Sequence, residues 1–345
     1  GTFIGSSPIV FAALGKGMVS LAGTPNGELL PILENKAWPG IAGPGTGNSS
    51  SPITADKPAV YYFGKFASHD DSLPKGGASD RADLGGKGAN LAAMANEFVA
   101  EFNKRYEKQG FKLNVPPGFT VTTTQTAQWR ERLGAITEEQ RKSMSLLELA
   151  RATLGNELIG ELTASLRLLE ETMGKKLGDQ ENDPLLIAVR SGAAESMAGM
   201  MDTILNLGLN NKSVLSLAKA RNDARFAWDT YRRFIEMFGR TVLGVQEDEK
   251  ARQGFKYILQ GLIKETGRKE DDLQAEDLKV LVERYKKEIQ RQGIKDDIPD
   301  DPIDQYLMAV YTVMKSSFSK RSMIVRKKEG FRLEETLSAV NVLPM

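Results

Sequence analysis

Hydrophobic positions along this chain recur at two distinct periods. Leu91, Met94, Ala95, Phe98, Val99, Phe102 and Tyr106 fall three or four residues apart, which lines one side of a helix. The same spacing predicts helices over residues 146–177, 212–227, 228–245 and 302–315, and a charge-dense helical pair across 254–292. In that pair Leu273, Leu278, Leu281, Val282, Tyr285 and Ile289 form the inner stripe, with Lys, Glu, Asp and Arg on a solvated face. Short apolar runs rich in β-branched and aromatic residues predict strands instead. They are AVYYFG at 59–64, Phe119 to Thr122, Leu185 to Val189, Met323 to Arg326 and Ser338 to Val342. Thr122, Thr123, Thr124 and Thr126 offer N-caps for a helix running through Trp129. Strands scattered among helices, with a long helical stretch after Gly208, predict an α+β fold.

Residues 1–58 break this patterning. They are rich in Gly, Pro, Ser and Thr and nearly free of charge, which reads as a low-complexity extension. Its apolar portion, SPIVFAALGKGMVSLAG, reads as a strand pair or as the remnant of a targeting segment.

Charge narrows the chemistry. With 46 basic and 45 acidic residues in 345, the bulk balance points to neither nucleic acid nor an anionic membrane. The chain contains no cysteine, so disulfides, thiolate nucleophiles and cysteine-ligated metals are excluded. That fits a cytoplasmic or organellar protein rather than a secreted one. The single histidine, His69, lies in a Ser/Gly/Pro/Asp-rich loop and reads as a solvated loop residue.

Two strings carry candidate anion chemistry. Gly85-Gly86-Lys87-Gly88 reads as a glycine-rich turn directly before a helix, where backbone N–H groups, the dipole end and a lysine meet an anion. It is not a Walker A loop, because Gly88 follows the lysine. Arg190 closes the strand at 185–189 and is followed by Ser191 and Gly192, then by a loop containing Ser196, Met197, Gly199, Met200, Asp202 and Thr203. A guanidinium at a strand mouth can grip a phosphate or carboxylate with two parallel hydrogen bonds. Taken alone, Arg-Ser-Gly reads rather as a surface arginine after an edge strand; the Ser191 and Ser196 hydroxyls could bond phosphate or simply cap the turn. The methionines read as soft packing or as an apolar wall for a base. Thr203 reads as the cap of a following helix. Arg225, Asp229, Arg232 and Arg233 share or neighbour one helical face and read as a structural ion cluster, with Phe226, Phe234 and Phe238 as the core stripe.

The longest of these strings, IAVRSGAAESMAGMMDTILNLG, resembles the nucleotide-binding half of the pyruvate, phosphate dikinase family, within the phosphoenolpyruvate-utilizing enzymes. LGGKGANLAAM, PPGFTVTT and RFAWDTYRRFIEMFG extend the resemblance in order, from about Val60 to Asn341. Two positions depart from it. Ala194 stands where the family usually has a basic residue, and Ala198 where it usually has proline.

The resemblance implies the first part of an ATP-grasp domain with an inserted all-helical subdomain. The lobe would occupy residues 59–209, the helical subdomain 210–303, and a return segment at the start of the second lobe 304–345. It implies ATP as ligand, gripped by Lys87 and Arg190 with help from Gly85, Gly86, Gly88, Ser191 and Gly192. It implies Mg²⁺ held by the second lobe, and phosphohistidine and pyruvate-binding domains as partners in a full-length, homodimeric phosphotransferase with paired acceptors. The chain ends at AVNVLPM, where that second lobe would begin, so full turnover is not expected of these residues alone. Two other readings are a fragment resembling pyruvate, water dikinase, and a truncated nucleotide-binding protein without catalysis. The Gly192 and Met-Met-Asp-Thr pattern argues against the first.

Overall fold

The computed structural model describes residues 57–345 except 107, 109, 111–112, 195–201, 249 and 333–335. The N-terminal extension and its apolar portion therefore lie outside the described residues. The predicted strands at 59–64, 119–122 and 338–342 form, as β1 (Val60–Phe63), β2 (Gly118–Val121) and β5 (Ser338–Pro344). The run at 185–189 forms later and longer than expected, as β3 (Ile187–Ala193). A strand absent from the sequence reading, β4 (Thr203–Leu207), pairs with it. The five strands make one antiparallel sheet in the order β1-β2-β5-β3-β4. Residues 338–344, assigned from the sequence to a return segment, are the central strand of this sheet.

Alternation divides the sheet into two faces. One carries Val60, Phe119, Val121, Ile187, Val189, Val340 and Val342, all fully buried in the main core. Against it packs α11 (Pro302–Ser316), which contacts β3, β4 and β5. That helix is buried almost all round, from Gln305 to Met314, as expected of a helix at the centre of a core. Gln305 is fully buried and fully used: its amide oxygen accepts from Gly208 N–H (3.1 Å), and its NH2 donates to the Leu209 (2.9 Å) and Pro299 (2.8 Å) carbonyls.

The other face carries a smaller cluster, in which Phe63 meets Leu84, Ala89 and Ala92 of α1 (Arg81–Ala92). A π-helical turn (Ala93–Phe98) and α2 (Val99–Tyr106) continue that helix.

The remaining helices follow the sequence pattern with local corrections. Helix α3 (Thr123–Ala135) starts after Thr122, whose hydroxyl makes no capping bond. A short α4 (Glu138–Ser143) was not anticipated, although Thr137 and Gln140 form a capping box at its start. The region 146–177 is two helices, α5 (Leu146–Leu154) and α6 (Asn156–Met173), parted at Gly155. Between β4 and β5 run α7 (Ser213–Arg221), α8 (Ala224–Phe238), α9 (Phe255–Thr266), α10 (Ala275–Arg291), α11 and α12 (Lys320–Glu329). The Arg225 cluster is structural. Arg232 is almost wholly buried and bonds Asp229 (2.7 Å), Glu236 (3.2 Å) and Glu270 (3.1 Å). Phe226, expected in the core stripe, is instead 47% exposed.

The predicted strand at 323–326 is wrong: those residues lie in α12 (Lys320–Glu329), capped by Ser319. With Lys and Arg on either side, a β-branched pair is too short a run to hold a strand against a capped helix. Among the described residues, no helix is long and apolar enough to cross a membrane.

Candidate anion site on the sheet face

The glycine string sits at a kink between two helical stretches of α1, directly before the second. Gly85 sits inside α1 at φ 65°, ψ 170°, a conformation essentially reserved for glycine, and so breaks the helix there. Gly86, Lys87 and Gly88 then form the first turn of the segment beyond the break. A Cβ built on Gly85 would lie 1.9 Å from the Gly192 carbonyl oxygen, so the break rests directly on the backbone of β3.

Arg190 and Ser191 are likewise not at a strand mouth. They lie within β3, which runs on to Ala193. Alternation therefore parts them. Arg190 is exposed on the face covered by α1, whereas Ser191 is fully buried on the opposite, α11 side. The Ser191 hydroxyl has no hydrogen-bond partner among the described residues, and it faces away from any ligand held by Arg190. Gly192 returns to the Arg190 face. A Cβ there would meet the Asn341 amide nitrogen at 2.8 Å and Lys87 Cβ at 3.3 Å. The glycine-rich break is thus what brings Lys87 over β3, two residues along from Arg190.

The two cations feel one another. The Lys87 ammonium is held below its ordinary value of 10.5, chiefly by partial loss of water and further by the Arg190 charge. Among the described residues, neither side chain makes an ion pair or hydrogen bond with the protein. Two unpaired cations side by side repel, and an anion placed between them relieves the repulsion while gaining both contacts. A third cation borders the break: the Arg81 guanidinium, whose Nε donates to the Ala194 carbonyl at 3.0 Å. By contrast, a recess of about 470 Å³ bordered by Arg167, Lys175 and Asp183 contains none of these residues, and there Lys175 is paired with Asp183 at 2.6 Å.

Of the loop expected to complete the site, Ser196, Met197, Gly199 and Met200 lie outside the described residues. Asp202 is described. Its carbonyl accepts from Ser191 N–H (3.3 Å), and burial raises its carboxyl above the usual range against the opposing charge of Arg321. Thr203 is not a helix cap but the first residue of β4, opposite Arg190. Among the described residues no group of three or more His, Asp or Glu side chains could hold a metal ion.

Sequence reasoning missed Asn341 and Thr120. Asn341 lies opposite both Arg190 and Thr120 in the ladders, and both polar residues are 1% exposed. The Thr120 hydroxyl donates to Asn341 Oδ1 (2.9 Å), and Asn341 Nδ2 donates to the Arg190 carbonyl (3.3 Å). The available signal was one amide in the otherwise apolar run AVNVL.

Comparison with known proteins adds an independent finding. A family model described as "Pyruvate phosphate dikinase, AMP/ATP-binding domain" matches residues 81–345. The chain is 38% identical over 274 residues to pyruvate, phosphate dikinase 1, chloroplastic, of Zea mays, covering 79% of this chain and 24% of that protein. It is 37% identical over 288 residues to pyruvate, phosphate dikinase of Giardia intestinalis, covering 83% and 28%. With the Clostridium symbiosum protein of the same name it shares 37% over 254 residues, covering 73% and 25%. The chain spans about a quarter of the length of these curated relatives.

Proposed function

Because the chain belongs to the family of the pyruvate phosphate dikinase AMP/ATP-binding domain, we propose that its sheet face holds the phosphates of ATP between Lys87 and Arg190. The observation that carries this reading is a pair of cations, Arg190 on one face of β3 and Lys87 over that face, that no described residue pairs and that the helix break at Gly85 draws together. Arg190 offers a planar fork suited to two phosphate oxygens, and Lys87 a mobile point charge. The N–H groups of Gly86, Lys87 and Gly88, at the start of a helical segment, add donors and the positive dipole end. Ser191 contributes backbone only. Ser196, Met197, Gly199, Met200 and Asp202 remain the proposed nucleotide loop.

For the whole protein we infer the reaction that the resemblance implies. ATP, phosphate and pyruvate become AMP, pyrophosphate and phosphoenolpyruvate through a phosphohistidine on another domain. In this reading residues 59–209 are the first lobe of an ATP-grasp domain, 210–303 its helical subdomain, and 304–345 the return segment, whose strand β5 completes the sheet of the first lobe before the chain leads to the second. Mg²⁺ ligands, the phosphohistidine domain, the pyruvate-binding domain and a homodimeric parent belong to residues other than the described ones. The chain's own share is to bind and orient the triphosphate.

Titration of this chain with ATP, beside Lys87→Ala and Arg190→Ala, tests the reading. Each loss should weaken binding by about 1.5–3 kcal/mol, the scale of a hydrogen bond to a charged group. Equal affinity in all three proteins would show that the phosphates lie elsewhere.

A further inference from the structure

The amide of Asn341 is wedged between the sheet and the helix break. It is nearly inaccessible to solvent, sits on the central strand, and faces both cross-strand neighbours that matter to the site: Thr120 on β2 and Arg190 on β3. Its oxygen takes the Thr120 hydroxyl, and its nitrogen bonds the Arg190 carbonyl. Above it lies Gly88, whose Cβ, if present, would be 2.9 Å from Asn341 Oδ1 and 3.0 Å from Thr120 Oγ1. Beside it lies Gly192, with a Cβ site 2.8 Å from Asn341 Nδ2 and 3.3 Å from Lys87 Cβ. The same planar group thus touches the strand that carries Arg190 and the helical turn that carries Lys87.

A buried amide has a defined thickness and a fixed donor and acceptor direction, and it is expensive to leave unmade. Hydrophobic packing has no such directionality: Leu84, Ala89 and Ala92 would hold α1 on the sheet but not at one height or register. We propose that Asn341, oriented by Thr120, is a positioning residue that sets the separation of Lys87 and Arg190 for a bound polyphosphate. It does not touch the ligand. The inference rests on the ATP-phosphate reading of this face.

The test uses the whole 345-residue chain. ATP affinity is measured for Asn341→Ala, Arg190→Ala and the double variant, beside Val342→Ala, which loosens the opposite face of the same strand. Asn341→Ala should weaken ATP binding about tenfold in the parent, and less than about twofold once Arg190 is gone, because groups acting through one another are not additive. Val342→Ala should lower the melting temperature without that loss of affinity. Thr120→Ser, which keeps the hydroxyl, should bind like the parent, and Thr120→Val should move in the direction of Asn341→Ala. If Asn341→Ala does not fold, Thr120→Val carries the same cycle.

A second readout needs no ligand: titration of the Lys87 ammonium by NMR of lysine-labelled protein. Arg190→Ala should move it toward 10.5. Asn341→Ala should do the same in the parent and add nothing in the Arg190→Ala background. Additive losses of ATP affinity, or a Lys87 titration that Asn341→Ala shifts no more than Val342→Ala does, would overturn the positioning role. If neither Lys87→Ala nor Arg190→Ala alters ATP affinity, the phosphate reading fails, and the ligand-free titration alone decides whether Asn341 sets the spacing of the two cations.

Discussion

Gly85→Ala is the substitution for which the structure states the largest consequence from the smallest change. Two penalties add. The backbone at φ 65°, ψ 170° belongs to a region almost closed to residues with a Cβ, at a cost of about 1–3 kcal/mol. The new methyl would also lie 1.9 Å from the Gly192 oxygen and 2.4 Å from its carbonyl carbon, and that backbone is held in register by its pairing with Ala339 on β5. Overpacking of this kind adds about 1–3 kcal/mol. The sum, roughly 2–6 kcal/mol, is a large fraction of the ~5–15 kcal/mol that holds a domain folded. Urea denaturation should show a lower midpoint at unchanged slope, and melting should fall by roughly 5–20 °C. Relief of the clash lifts the helix break from β3, so ATP affinity should fall as well. Gly86→Ala is the control. Its Cβ meets nothing closer than Arg81 Nη2 at 3.3 Å and the Ala193 oxygen at 3.4 Å, and stability should stay within about 1 kcal/mol of the parent. A Gly85→Ala protein as stable as the parent, or a Gly86→Ala protein equally damaged, would refute the account of the break.

Three further outcomes follow from charge. Because the Lys87 ammonium is held below 10.5, it loses its proton at lower pH than an ordinary lysine. ATP affinity should therefore decline with rising pH before 10.5 is reached, and Lys87→Ala should abolish that part of the profile; a parent profile identical to that of Lys87→Ala would exclude the role. At Asp229, burial alone would raise the carboxyl, but the bonds and charges of Arg232 and Arg233 outweigh it and hold it below 3.8. A depressed folded value means stability that is present above the unfolded value and lost as pH falls through the folded one. Urea midpoints should thus drop below about pH 4, less steeply in Asp229→Asn, and equal slopes would sink the assignment. Arg232→Ala strands Asp229 and Glu236 beside an empty, water-poor position, and should destabilise by about 3–5 kcal/mol in urea denaturation. Arg232→Lys should not restore it, since one ammonium cannot reproduce bonds from Nε, Nη1 and Nη2.

Most helices were legible because their signal is local. Leu278, Leu281, Val282, Tyr285 and Ile289 recur at helical spacing, and all are buried in α10. The failures lie where local pattern was weak or outweighed. Met323 to Arg326 looked extended, but Ser319 caps a helix there. Phe226 looked like core, yet it projects from the exposed side of α8 while Phe234 and Phe238 are fully buried.

The site divides along the same line. The sequence alone determined which residues carry the charge: Lys87 among glycines, Arg190 before Ser-Gly, and the absence of thiols. It also located the start of the strand that carries Arg190, though not its full length. Only tertiary structure decided that Gly85 breaks a helix, that Ser191 points into the core, and that Asn341, about 150 residues after Arg190, lies directly opposite it. Helical periodicity and charge are properties of neighbours in the chain. The face a strand residue occupies, and the partner it meets, depend on register with strands distant in sequence. No local pattern records that register, because each strand obtains it from the others when the sheet assembles.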